Sequence, residues 1–239
     1  MPTAPTIILV VPANNTTMEL EIRALYPEVR DLHVARVKRP PRTLAIEDIP
    51  AYGLSTIEAV TPFKATKPDL VVYGCTAAGF LAGPKGNGRI VAALRTSTGA
   101  PVVSTSEAMI EALRHSGVER TAVVTPYLKP VNDGLANYLT SCGIAVETLA
   151  SFHCETTDAL GRISAADVHA KALETVTPAS RALFIACSQL PTLSIIGPLR
   201  RKLGIPVWSS IQATAWSGAR VLAAHGTQLL LLADPALAA

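Results

Sequence analysis

Apolar residues along the chain fall in short dense runs separated by longer amphipathic stretches, and this rhythm repeats from end to end. Thr6–Val11 (TIILVV), Leu70–Tyr73 (LVVY), Thr121–Val124 (TAVV) and Ala182–Ala186 (ALFIA) are continuous, as expected for strands buried on both faces. Leu32–Val37, Ala145–Phe152 and the short segments within Thr98–Ser106 and Leu203–Ser210 read as further strands. Met18, Ile22 and Leu25 share one face at helical spacing, with Asn15 or Thr16 available as the cap. Helices are also expected over Ser55–Ala65, Arg89–Thr96, Glu107–Arg114, Val131–Leu139 and Ala166–Val176. Gly79–Arg89 reads as a glycine-rich connection, and the apolar Leu229–Ala233 as a packed terminal segment. Strands alternating with helices predict an α/β fold built on mostly parallel sheets.

The pattern also repeats at long range. Pro126 follows its strand 114 residues after Pro12 does, Cys187 stands 112 residues after Cys75, and Pro206 lies 105 residues after Pro101. Three landmarks recurring in order at nearly one offset predict an internal duplication: two pseudo-symmetric α/β lobes, 1–117 and 118–239, with the C-terminal helix free to cross back to the first. A pseudo-two-fold axis would bring equivalent strand ends to one cleft between the lobes, where α/β sheets bind ligands.

Gly74 turns the chain after an apolar strand, and Cys75 and Thr76 follow. A lone cysteine in that position is ordinarily a small buried thiol. Its counterpart at Cys187 makes a two-sided thiol site the sharper reading. Near helix N-termini such thiols are expected to ionise more readily, but two thiolates repel, so the pair should share one charge. Which thiol carries it stays open. Cys142 and Cys154 have no counterparts and read as structural.

Composition narrows the classes. In 239 residues, 49% are hydrophobic and 16% charged, which argues for a compact body and against disorder. A net charge of +3 with scattered Lys and Arg lacks the basic stripe of a nucleic-acid binder and leaves small acids as partners. The proline-broken basic loop Arg36–Arg42 reads as solvated surface, although a loop arginine could reach over the cleft to a carboxylate. The glycines of Gly79–Arg89 match neither phosphate-loop pattern. No apolar run has the length of a membrane span, no signal-peptide pattern opens the chain, and the cysteines lack zinc or disulfide-framework spacing. A reduced cytoplasmic protein without a metal or cofactor is therefore expected, a homodimer by base rate.

GCT at Gly74–Thr76 and ACSQLPTL at Ala186–Leu193, together with the two-lobe plan, resemble the aspartate/glutamate racemase superfamily. VVPANNTTME at Val10–Glu19 and VTPYLKPVND at Val124–Asp133 are similar to its maleate cis–trans isomerase and arylmalonate decarboxylase branch. The resemblance covers nearly the whole chain. It implies that Cys75 is the nucleophile and Cys187 the proton-handling partner, and that Asn15, Thr76, Ala77, Tyr127, Ser188 and Gln189 hold the substrate carboxylates. Decarboxylases of the branch carry glycine at the first cysteine position. Maleate isomerases place a carboxylate-binding asparagine where this chain has Thr157.

The expected activity is cis–trans isomerisation of maleate or a close relative. A thiolate adds to the electron-poor double bond, the single bond rotates, and the thiol leaves. Three other readings stay open: a two-cysteine racemase or epimerase, an arylmalonate-type decarboxylase, and a protein that binds or senses a small acid without catalysis.

Overall fold

The computed structural model describes residues 4–40, 42–228 and 231; the segment Leu229–Ala233, apart from Leu231, lies outside them. Two four-stranded parallel sheets form the frame. The first contains β1 (Thr6–Pro12), β2 (Asp31–Val37), β3 (Leu70–Tyr73) and β4 (Val102–Ser104), in the order β2-β1-β3-β4. The second contains β5 (Arg120–Thr125), β6 (Ala145–Ser151), β7 (Leu183–Ile185) and β8 (Val207–Ser209), in the order β6-β5-β7-β8. The two orders are the same, as a duplication requires.

The central strands are continuous runs because both their faces are covered. Ile7, Leu9 and Val11 of β1 face the main core with Met18, Ile22 and Leu25, while Ile8 and Val10 face a second core with Tyr52, Val60, Val91 and Leu94. The helices of the first half are α1 (Thr17–Leu25), α2 (Ile49–Val60), α3 (Thr76–Leu81), α4 (Gly83–Thr98) and α5 (Thr105–His115). Those of the second half are α6 (Lys129–Ser141), α7 (Thr157–Gly161), α8 (Ala165–Thr175), α9 (Ile196–Leu203) and α10 (Ser210–Ala224). The helix α10 packs against α1, α5, β3 and β4 of the first half, and the main core runs through both sheets without a break.

Three segments differ from the sequence expectation. The helix expected over Ser55–Ala65 begins earlier, at Ile49, because Pro50 occupies the first turn, where no amide donor is needed; it passes into a 3₁₀ turn at Thr61–Thr66. Gly79–Arg89 is helical and not a connection: α3 ends, Gly83 takes a left-handed φ of 67°, and Pro84 opens α4. The short helices α7 and α9 carry too few residues for a periodic pattern to announce them. Among the described residues no helix is long and apolar enough to cross a membrane.

Candidate active site

Both cysteines stand where their strands end. The strand β3 stops at Tyr73, and Gly74 turns the chain, its amide donating to the Val10 carbonyl at 2.8 Å. Cys75 follows as the residue that caps α3, so the helix opens directly on its thiol. In the second half Ala186 donates to the Val124 carbonyl at 2.8 Å, the equivalent bond, and Cys187 follows. There the symmetry breaks: turns, not a helix, occupy the residues after Cys187 until α9 begins at Ile196. Gly74 is required by close approach, since a Cβ there would lie 2.6 Å from the Met18 sulfur and 2.8 Å from Val11 Cγ1.

The two strand ends are tied across the cleft. Asn15 Nδ2 donates to the Ser188 carbonyl at 3.2 Å and to Ser188 Oγ at 3.0 Å, while Asn15 Oδ1 accepts from the Met18 amide and anchors the start of α1. Ser188 Oγ donates to the Gly74 carbonyl at 2.7 Å, and Gln189 Nε2 donates to the Asn14 carbonyl at 3.2 Å. Arg36 holds the same turn by donating to the Asn15 carbonyl. Further out, the Thr43 amide donates to the Glu155 carbonyl at 3.4 Å beside an isolated antiparallel bridge between Arg42 and Thr156, so the loops after β2 and β6 meet.

Between these ties lies a cavity of about 30 Å³. Asn15, Cys75, Thr76, Ala77, Tyr127, Cys187, Ser188 and Gln189 all line it, and so do Pro12, Arg39, Thr43, Leu44 and Leu160. Eight of the nine site residues expected from sequence are thus brought together. Thr157 is not among them: it is half-buried at the first turn of α7, the helix whose Leu160 lines the cavity. Cys154 is buried and Cys142 half-buried; both are free thiols away from the cavity. Arg39 is the main residue the sequence reading did not single out. Its only signal there was its place in the basic loop after β2.

Burial dominates the chemistry of the thiols. Cys75 and Cys187 are 4% and 7% exposed, and loss of water pushes both pKa values up, that of Cys187 to about 11. Burial thus works against the readily ionised pair expected from sequence, while the neighbouring donors and the Arg39 charge work for it. The opposing forces are unequal. Cys75 faces the amides of Ala78 and Ala77 at the start of α3, with the Tyr52 hydroxyl and the Arg39 charge nearby, all of which favour its thiolate. Cys187 has the Gln189 amide, which donates to its sulfur at 3.4 Å, the Tyr127 hydroxyl and Arg39, but it also meets the charge of Cys75. The two thiols therefore sit in unlike surroundings.

The cavity also holds polar atoms with no protein partner. Thr76 Oγ1, Tyr127 Oη and Arg39 Nε are buried without a hydrogen bond. All three can donate, and buried donors normally find acceptors. Two thiols facing a ring of donors can add to and protonate a small acid. No cluster of three or more His, Cys, Asp or Glu among the described residues is placed to hold a metal ion.

Comparison with known proteins agrees with this geometry. A sequence model of the arylmalonate decarboxylase family (Amdase) matches residues 7–229. The maleate isomerase of Nocardia farcinica is 30% identical over 97% of this chain and 97% of its own. The arylmalonate decarboxylase of Bordetella bronchiseptica is 32% identical over a shorter span, 61% of this chain and 62% of its own. In structure, a cysteine-to-serine mutant of the Nocardia farcinica maleate cis–trans isomerase, carrying a covalently bound succinylcysteine intermediate, superposes with a TM-score of 0.85 at 28% identity, covering 92% of this chain and 93% of that one. With the match running through both sheets and both strand-end cysteines, the chain belongs to the arylmalonate decarboxylase family.

Proposed function

We propose that the protein is a cis–trans isomerase of small dicarboxylic acids, of the maleate-to-fumarate type, working through its two cysteines. The observation that carries this reading is the pair Cys75 and Cys187 lining one narrow cavity with unpartnered donors around them. The covalent succinylcysteine intermediate held by the related isomerase is the adduct such a pair would form.

The Cys75 thiolate adds to one alkene carbon, and the alkene electron pair moves toward the second alkene carbon and into the carboxylate it carries. Donors such as Thr76 Oγ1 and Tyr127 Oη stabilise the charge as it develops there. The Cys187 thiol delivers its proton to the second alkene carbon, giving a saturated succinyl thioether about whose C–C bond the substrate rotates. The Cys187 thiolate then retrieves a proton from that carbon, the C–S bond breaks, and the Cys75 thiolate leaves. The proton returns to its donor, so the reaction balances without another reactant.

Proton NMR of the purified protein with maleate should show fumarate appearing. Cys75→Ala should abolish it, and Cys187→Ala should lower it by at least about 100-fold, the scale of a lost general acid–base group. Unchanged turnover in both variants would sink the mechanism. Decarboxylation is the second reading, favoured by the family match. Against it stands the cysteine where the decarboxylases of the branch carry glycine. Release of CO₂ from phenylmalonate without fumarate formation from maleate would select it.

A further inference from the structure

Three arginines leave the end of β2 or the loop that follows, and two are committed to protein partners. Arg36 pairs with Glu19 and with the Asn15 carbonyl. Arg42 grips Asp48 with both terminal nitrogens, at 2.7 and 2.8 Å. Arg39 differs. It is half-buried and is the one charged side chain among the residues lining the cavity. Its Nη2 donates to the Arg42 carbonyl at 3.0 Å, its buried Nε has no partner, and among the described residues it forms no ion pair. Thr157, the expected donor for a second carboxylate, does not line the cavity. A guanidinium drawn half out of water with its fork unfilled is costly unless an anion completes it, and a planar carboxylate fits that fork.

We infer that Arg39 binds the carboxylate carried by the carbon that Cys75 attacks, and so selects dianionic acids over monoanions. This rests on reading the cavity as a small-acid site. The neutral donors Thr76 and Tyr127 then serve the carboxylate in which charge builds up, while Arg39 supplies fixed charge to the other end. The side chain stands on a loop and holds one backbone carbonyl, so it can be replaced without opening either core.

Competing alkylation of Cys75 tests this without relying on turnover. The wild-type protein, Arg39→Met and Arg39→Lys are treated with iodoacetate and with iodoacetamide, and the rate at Cys75 is read from peptide masses. A change in thiol ionisation alters both rates alike, so their ratio isolates recognition of the carboxylate. The iodoacetate-to-iodoacetamide ratio should fall about 10- to 100-fold in Arg39→Met and be partly kept in Arg39→Lys. An unchanged ratio in Arg39→Met overturns the proposal. In parallel, kcat/KM for maleate should fall by a similar factor in Arg39→Met and be partly kept in Arg39→Lys; an unchanged kcat/KM in Arg39→Met also overturns it. An Arg39-dependent ratio in a protein that does not isomerise maleate supports the carboxylate site and rejects the isomerase reading instead.

Discussion

Burial and hydrogen bonding pull the two thiols in opposite directions, and their balance makes a prediction about pH. Burial holds the Cys75 pKa above the ordinary thiol value of 9.0, and that of Cys187 reaches about 11. Alkylation of Cys75 by iodoacetamide should therefore keep rising with pH past 9 and show no plateau near neutrality. Isomerisation should climb over the same range as Cys75 loses its proton, then fall near pH 11 as Cys187 loses the proton it must donate. A plateau below pH 8 in the substrate-free protein would contradict the upward shift of Cys75. Tyr127 gives a second prediction at this scale. Its hydroxyl is buried beside the Cys187 thiol, so Tyr127→Phe removes a group that serves the site more than the fold. Turnover should drop about 10- to 100-fold with no loss of thermal stability. The cysteines were legible in sequence because a displaced copy of the same strand end marked each of them. Arg39 was not, because its place depends on the path of an irregular loop, which no hydrophobic period specifies.

At the scale of elements, the site depends on how β3 passes into α3. Gly74→Ala would press a methyl into Met18 and Val11, both fixed in the main core, and should cost about 1–3 kcal/mol in chemical denaturation. The shift would be felt one residue later, at Cys75, so turnover should fall even where the protein remains folded. The strands and most of the longer helices were readable from period and run length, since their faces are set by two extended cores. What escaped was the helical state of Gly79–Arg89. Glycines at Gly83, Gly86 and Gly88 read as loop residues, yet only Gly83 turns the chain; Gly86 is buried inside α4, where a Cβ would lie 3.0 Å from the Ala82 methyl. Local propensity there yields to packing.

The whole molecule behaves as one unit even though its chain repeats. Glu21 of α1 is a buried carboxylate in the first half, and it accepts from the Thr192 amide, the Thr192 hydroxyl and the Leu193 amide in the second, at 2.6, 2.9 and 3.0 Å. Glu21→Ala would leave these donors unfilled and should destabilise the fold by about 2–3 kcal/mol. Because the core is continuous and α10 is shared, circular dichroism and the fluorescence of Trp208 and Trp216 should report a single coincident unfolding transition in urea; two separated transitions would show the halves to be independent. The break in symmetry after the two cysteines has a further meaning. Two identical subunits meeting on a two-fold axis would give both thiols the same proton affinity, with nothing to decide which should give a proton and which should keep its charge. Joining the halves in one chain lets a single position diverge in one copy alone. Here that divergence is the turn of helix that opens on Cys75 and has no equivalent after Cys187, and it gives the two thiols different surroundings.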